Sequence, residues 1–331
     1  MKTQVLPIDE TSLAEARRIL LSGGCVAFPT ETVYGLGADA RSDSAVRTIY
    51  AVKGRPSDNP LIVHVHKEYD LDGLVFDTPF AKRLREVFLP GPLTLVYKSR
   101  GTVSSVVSCG LDTLAVRVPR HDGAQRFLRA VGIPVAAPSA NRSKHVSPVT
   151  AEHVYTDLNG RIPLILDGGA CEGGIESTVC DVTGEYPIIL REGLVTREQI
   201  ASVVGECGVW QGDQNAPVRS PGMKYKHYAP ACETKLFPAA ELEGAIACFG
   251  AEEKAGRRVL ALCEHAACGS FPKGKALDLG DTAEMFAANL YRLLREAETR
   301  CDVLIAIEPR ARGGAMAGVL NRLRKACGEG K

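Results

Sequence analysis

The sequence predicts an α/β protein in two unequal parts, the first a mixed twisted sheet covered by helices. Three observations carry this. Up to about residue 200, short apolar runs mix with capped helical segments, without the strict β-α-β order of a purely parallel sheet. From Glu206 to about Cys232 the chain turns to Gly, Pro, Asn and Ser with little periodicity, as a linker does. Strands and helices then resume, and 331 residues exceed the usual size of one core.

Taken in order, Ser12-Leu13-Ala14-Glu15 fits a capping box, with Leu13, Ala16 and Leu20 on one helical face before Gly23-Gly24 stops it. Residues 25–28 read as a buried strand running into Pro29-Thr30-Glu31-Thr32. Asp43 is placed to cap a helix with Val46, Ile49 and Tyr50 inward, which brings Lys53 to its C-terminal end before the Gly54 breaker. Residues 61–66 read as a strand, Thr78-Pro79 as a helix start, and 93–97, 114–118 and 134–137 as strands. Thr150 and Thr196 open helices, between which strands fall at 164–166, 178–182 and 188–190. In the second part, 258–262 and 303–307 read as buried strands. Thr282 caps a long helix with Phe286, Leu290, Leu293 and Leu294 inward. That order suggests a small Rossmann-like three-layer α/β domain, without the G-x-G-x-x-G fingerprint of dinucleotide binding.

Composition excludes several classes. Hydrophobic residues at 45% and charged residues at 24% are ordinary for a globular protein, and a net charge of +1 gives no overall pull toward nucleic acid or acidic membranes. Met1-Lys2-Thr3-Gln4-Val5 opens without a signal-peptide core and no run is of membrane-spanning length, so the chain reads as cytoplasmic, with no membrane partner. The 11 cysteines include no C-x-x-C pair and read as free thiols used as small core residues, Cys25, Cys180, Cys248 and Cys301 among them. Cys263 and Cys268 flank His265, but a zinc site lacks its fourth ligand.

The chemistry-bearing stretches are loops. Lys53-Gly54-Arg55-Pro56-Ser57-Asp58-Asn59-Pro60 and Pro138-Ser139-Ala140-Asn141-Arg142 mix fixed cations with small hydroxyl and amide groups, which suits a nucleoside triphosphate. No G-x-x-x-x-G-K-[ST] loop occurs, so any ATP is held without a P-loop. Arg117 faces away from Val116 and Val118 and needs a partner, either an amino-acid carboxylate or a structural salt bridge. His64 and His66 share one strand face, but no third ligand completes a metal site. Asp167-Gly168-Gly169 and Gly173-Gly174 frame the approach to Glu176-Ser177-Thr178, as turns or as points of close ligand contact. Arg191 ends an apolar strand before Glu192-Gly193. Glu308-Pro309-Arg310-Ala311-Arg312-Gly313-Gly314 precedes a helix and is either a solvated loop or an anion-holding terminus.

Pro29-Thr30-Glu31-Thr32-Val33-Tyr34-Gly35-Leu36 resembles the opening motif of the YrdC-type proteins. So do Lys53-Gly54-Arg55 with Asn59-Pro60-Leu61, Ala115-Val116-Arg117-Val118-Pro119, and Pro138-Ser139-Ala140-Asn141. With Ser220-Pro221-Gly222-Met223-Lys224-Tyr225-Lys226-His227-Tyr228-Ala229-Pro230 and the second domain, the chain resembles the long, two-domain threonylcarbamoyl-AMP synthase family over essentially its whole length. The resemblance implies a YrdC-like catalytic domain at 1–206, a linker at 207–232 and a C-terminal domain at 233–331; two Tyr, a His and two Lys in so long a non-repetitive loop further suggest that residues 220–230 fold over the site as a lid. It implies that ATP, L-threonine and bicarbonate give threonylcarbamoyl-AMP and pyrophosphate. Magnesium would arrive on the ATP, with no protein ligands and no organic cofactor, and a separate transferase complex would pass the group to tRNA.

By the same resemblance Arg55, Asn59, Thr113, Ser139, Ser147, Arg191 and Tyr228 would hold ATP. Thr32, His64, Arg117, Ala137 through its backbone, and Ser177 would hold threonine, leaving His66 at the edge. Lys53, Arg55, Ser139 and Asn141 form the signature placed at the chemistry. Ser147-Pro148-Val149-Thr150 departs from the family run by inserting Val149. No residue is identified as a general base. Two competing readings are a tRNA- or double-stranded-RNA-binding module without catalysis and a carbamoyl-adenylate-forming relative. Near-neutral charge opposes the first beyond a weak tRNA contact, and the missing paired C-x-x-C motifs oppose the second.

Overall fold

The computed structural model describes residues 2–211 and 228–328. Among these, one compact unit comprises Lys144–Ser147, Gly173–Ile175 and residues 228–328, and the remaining residues form the other. Residues 220–227 of the expected lid lie outside the described residues. Among the described residues, no helix is long and apolar enough to cross a membrane.

The larger unit is built on a 12-stranded mixed sheet. Its order is Gln4–Pro7, Leu164–Asp167, Val26–Phe28, Gly35–Asp39, Val135–Ala136, Ile62–His64, Thr113–Arg117, Leu93–Ser99, Thr178–Asp181, Ile188–Arg191 and Gly208–Val209. Val75–Phe76 pairs with Leu93–Ser99 off this path. Parallel pairing of Ile62–His64 with Thr113–Arg117 sets His64 beside Arg117. The strand expected at 61–66 is only Ile62–His64, because beyond it the chain leaves the ladder for a turn at Lys67. The sheet also runs past residue 206, where composition changes, since a two-residue edge strand is too short to leave a hydrophobic pattern.

On one face of this sheet, the helices Glu10–Leu21 and Asp122–Val131 bury Leu13, Ala16, Leu20, Phe127 and Leu128 against Val26, Phe28, Val135 and Leu166. Each fully buried Leu or Phe contributes about 2 kcal/mol. Thr78, Thr150 and Thr196 cap their helices as expected, each hydroxyl accepting the N–H three residues on.

Two caps differ from the sequence reading. The first helix is capped by Asp9, whose carboxylate accepts from Ser12 N at 2.8 Å while Ser12 Oγ accepts from Asp9 N at 3.0 Å, so Ser12 closes the box instead of opening it. Ser42, not Asp43, caps Asp43–Lys53. Asp43 Oδ1 instead accepts from Ser104 Oγ at 2.5 Å.

The smaller unit holds four parallel strands in the order Glu233–Phe237, Val303–Ile307, Val259–Cys263, Ala276–Asp278, flanked by Leu242–Lys254, Ala283–Arg300 and Ala315–Cys327. Thr282 caps the long helix, and Phe286, Leu290, Leu293 and Leu294 are buried. All cysteines are free; Cys25, Cys180 and Cys301 are buried, whereas Cys248 is half-buried on its helix. Cys263 and Cys268 approach to 3.7 Å, but His265 turns to Asp278 at 2.6 Å.

Candidate active site

The loop after Val26–Phe28 is shaped by one hydroxyl. Thr30 Oγ1 donates to Val33 O at 2.6 Å and accepts from Thr32 N at 3.1 Å and Val33 N at 3.2 Å, folding residues 30–33 into a tight turn. That turn carries Glu31 and Thr32 to Arg117. Arg117 Nη1 donates to Thr32 Oγ1 at 2.7 Å, and Nε donates to Gly91 O at 3.3 Å. Arg117 Nη2 lies 2.8 Å from Glu31 Oε2, both side chains only 4% exposed. The sequence reading left open whether Arg117 pairs within the fold, and it does.

That ion pair is close but poorly aligned. Neither Glu31 oxygen nor Arg117 Nη2 has a hydrogen-bond partner of acceptable geometry among the described residues. A buried polar group left in that state costs about 1–3 kcal/mol, more when charged. This pair therefore holds unmet hydrogen-bonding capacity on both of its ends.

His64 completes this end. Its Nδ1 contacts Ile62 O at 3.2 Å and its ring meets Phe28 edge-on at 5.9 Å. Burial, with Arg117's charge second, pushes the imidazole down to about 3, so it is neutral at physiological pH. His66 sits at the rim against Glu68, apart from His64, and no group of three or more His, Cys, Asp or Glu side chains among the described residues could hold a metal.

Ser177 lies on the far side of Arg117's neighbouring strand. Its hydroxyl shares a hydrogen bond with Thr94 Oγ1 at 2.8 Å. Arg191 donates to Ser177 O from Nε at 3.1 Å and from Nη2 at 2.9 Å, and Nη2 also reaches Ser177 Oγ at 3.2 Å. Gly193 makes this approach feasible, since a Cβ there would lie 2.4 Å from Thr178 N. Arg191, expected on ATP, and Ser177, expected on threonine, are thus direct neighbours.

The signature residues also converge. Lys53, at the end of its helix before the left-handed Gly54 (φ 63°), donates to Ser139 O at 2.5 Å, Asn141 O at 2.6 Å and Asn141 Oδ1 at 3.2 Å. Ser139 Oγ donates to the same Asn141 Oδ1 at 2.5 Å. Lys53 thus ties the 139–141 loop to the helix end. Arg55 is half-buried and donates to Asn59 O at 3.2 Å, a carbonyl that Tyr50 Oη also reaches at 3.2 Å. Asn59 is fully buried, with neither amide atom hydrogen-bonded among the described residues.

The other expected residues are less concentrated. The Ala137 amide donates to Ile62 O at 2.9 Å, so what its backbone can offer a ligand is the carbonyl. Thr113 opens its strand four residues before Arg117. Ser147 and Tyr228 fall in the smaller unit, where Tyr228 takes a left-handed φ of 70° and stacks on Tyr291 with centroids 5.4 Å apart. Asp167-Gly168-Gly169 forms a turn pinned by Tyr34, whose hydroxyl donates to Gly169 O at 2.8 Å and accepts from Gly168 N at 3.2 Å. Glu31 had no role in the sequence reading. The available signal was a single acid inside an otherwise neutral turn motif.

Comparison with known proteins identifies the family. The Sua5–YciO–YrdC profile, described as "Telomere recombination", matches residues 18–193, and the profile described as "Threonylcarbamoyl-AMP synthase, C-terminal domain" matches 195–328. Threonylcarbamoyl-AMP synthase of Pyrococcus abyssi is 41% identical over 97% of this chain and 95% of its own length. That of Bacillus subtilis is 42% identical over 98% and 96%. The crystal structure of P. abyssi Sua5 complexed with L-threonine superposes with a TM-score of 0.88 at 39% identity, covering 98% of this chain and 97% of its own. On these likenesses, over nearly its whole length, the chain belongs to the threonylcarbamoyl-AMP synthase family of nucleotidyltransferase enzymes.

Proposed function

We propose that the protein condenses L-threonine, bicarbonate and ATP into L-threonylcarbamoyl-AMP and pyrophosphate, supplying a separate transferase that modifies tRNA. The observation that carries the reading is the buried Arg117, flanked by the hydroxyl of Thr32 and the neutral imidazole of His64, with an Nη2 that lacks an aligned acceptor. Such a group suits an amino-acid carboxylate, and the relatives' shared name supports threonine as its owner.

In this reading the threonine amine is carboxylated, and the carbamate then attacks the α-phosphorus of ATP in line, with pyrophosphate leaving. Both reactants are anions, so positioning and charge screening carry the step. Arg55 and Arg191 supply fixed positive charge, while the Asn59 amide and the Ser139 hydroxyl supply neutral hydrogen bonds to phosphate. Lys53 acts by holding the 139–141 loop in shape. Magnesium would enter on the triphosphate and neutralise its charge. The cations, hydroxyls and amides here suit phosphate oxygens rather than a metal, so no step of the chain's own chemistry runs through it.

The test is incubation of the full chain with ATP, magnesium, labelled bicarbonate and L-threonine. Threonine-dependent pyrophosphate and a labelled adenylate are expected. ATP turnover indifferent to threonine, or salt-sensitive tRNA binding without ATP consumption, would overturn the reading.

A further inference from the structure

We propose that Glu31 receives the α-ammonium of the amino-acid substrate and removes its proton, making Glu31 the general base of the carboxylation half-reaction. The inference rests on the amino-acid reading of the site given above.

The argument begins with unmet bonds. Glu31 is buried, yet neither carboxylate oxygen has an aligned donor among the described residues. Its neighbour Arg117 commits Nη1 to Thr32 and Nε to Gly91, while Nη2 lacks an aligned acceptor. A guanidinium and a carboxylate, side by side and each incompletely satisfied, are the complement of a zwitterion whose own carboxylate and ammonium are one carbon apart. An α-amino acid bound with its carboxylate on Nη2 and its ammonium on Glu31 satisfies both ends at once. A ligand with only one of those charges leaves the other end unmet.

Position adds the chemistry. An α-ammonium has no lone pair and cannot form a bond to carbon until it loses a proton. His64, adjacent to Arg117, is a poor candidate to accept it: burial holds its basicity far down and Nδ1 already faces Ile62 O. The Cys171 thiol also borders Glu31 and Arg117, but burial pushes it up to about 12, so it stays protonated and Glu31 is the base left in that corner among the described residues. Glu31 takes one proton from the α-ammonium, and the freed lone pair forms the C–N bond to the carbon of bicarbonate. The bicarbonate hydroxyl leaves with that proton as water. Glu31 then takes the second proton that the nitrogen must lose, which passes to solvent, so threonine and bicarbonate give the carbamate, one water and one proton.

Two measurements on the full chain decide it. Calorimetric binding is compared for L-threonine and 3-hydroxybutanoate, which keeps the carboxylate and hydroxyl but has no amine. Wild type is expected to favour threonine by about tenfold to hundredfold. Glu31→Gln is expected to bring that ratio near one, to leave 3-hydroxybutanoate affinity within about twofold, and to lower threonine-dependent kcat by about a hundredfold. A Glu31→Gln variant that keeps the wild-type preference, or one with wild-type kcat, overturns the proposal. If Glu31→Gln does not fold, wild type decides alone: equal binding of both ligands overturns the role of Glu31, and a threonine preference supports it. Wild type that binds neither ligand overturns the amino-acid reading itself, a different result from equal binding.

Discussion

Lys53 and Arg117 are both buried cations, yet the fold treats them in opposite ways. Lys53 has its ammonium matched to three acceptors, two of them main-chain carbonyls, and so fixes the shape of the 139–141 loop. Arg117 has two arms engaged and a third in a misaligned ion pair with Glu31. On the proposed reading, the difference separates structure-making from ligand-receiving. A satisfied cation stabilises the apo protein, whereas an incompletely satisfied one stores binding capacity at the expense of stability.

The strongest way to break this comparison is to remove the guanidinium. Arg117→Leu leaves Glu31 buried without a counter-charge and should lower unfolding free energy by about 3–5 kcal/mol in urea, with loss of threonine binding. Adding Glu31→Leu should restore most of the stability and none of the binding. If the single variant is as stable as wild type, Glu31 does not depend on Arg117 as its counter-charge.

A smaller effect is expected at the other cation. Lys53→Met strips charge-assisted bonds from the 139–141 loop and should cost about 2–3 kcal/mol. Turnover of ATP should fall while L-threonine affinity, measured without ATP, stays within about twofold, since losing the ammonium's hydrogen bonds to the 139–141 loop leaves Arg117 untouched. Equal loss of both would mean that the two clusters act as one.

The finest probe is pH. His64 in the folded chain titrates at about 3, below its ordinary value, so the unfolded chain binds the proton first as pH falls. The stability contributed by its neutral burial is complete above about pH 6.5 and is lost progressively toward pH 3, at a slope of up to about 1.4 kcal/mol per pH unit. His64→Gln should flatten that part of the profile, measured by urea unfolding at pH 7 and pH 5. An unchanged slope would place the acid sensitivity elsewhere.

Much of this arrangement was legible in the sequence, where its causes are local. A Thr before an apolar-periodic run marks a helix start because its hydroxyl reaches a backbone N–H three residues away, and Thr78, Thr150, Thr196 and Thr282 behave so. Asp9 and Ser12 defeated the same logic because both can cap, and only packing shows which does. The helix Asp122–Val131 carries no usual start signal, because its cap is His121, whose Nδ1 accepts from Ala124 N at 3.2 Å, an uncommon residue in that role. The strand Gly35–Asp39 looks like a loop in composition. Gly37 is required there because a Cβ would press within 2.7 Å of Val135. Glu31 and Arg117 lie far apart in sequence and nothing local joins them; the antiparallel pairings that run from Val26–Phe28 through Gly35–Asp39 and Val135–Ala136 to Ile62–His64, the parallel pairing of Ile62–His64 with Thr113–Arg117, and the Thr30 turn do so.

The long reach of the sheet has a kinetic meaning. Thr3 bonds to Ile162 O, 159 residues away, and strand Gln4–Pro7 pairs with Leu164–Asp167. Strand Leu93–Ser99 likewise pairs in parallel with Thr178–Asp181. A chain emerging in order from its N-terminus cannot close either pairing until more than half of it exists, and such non-local contacts slow folding. Ser177 immediately precedes the late strand Thr178–Asp181, and Arg191 ends the strand Ile188–Arg191 that follows it. A nascent chain halted before them carries Thr32, His64 and Arg117 without Ser177 and Arg191. On the proposed reading, capacity to bind an amino acid is acquired only once those strands are made, so ligand-dependent protection in a timed translation series would report closure of these long-range pairings.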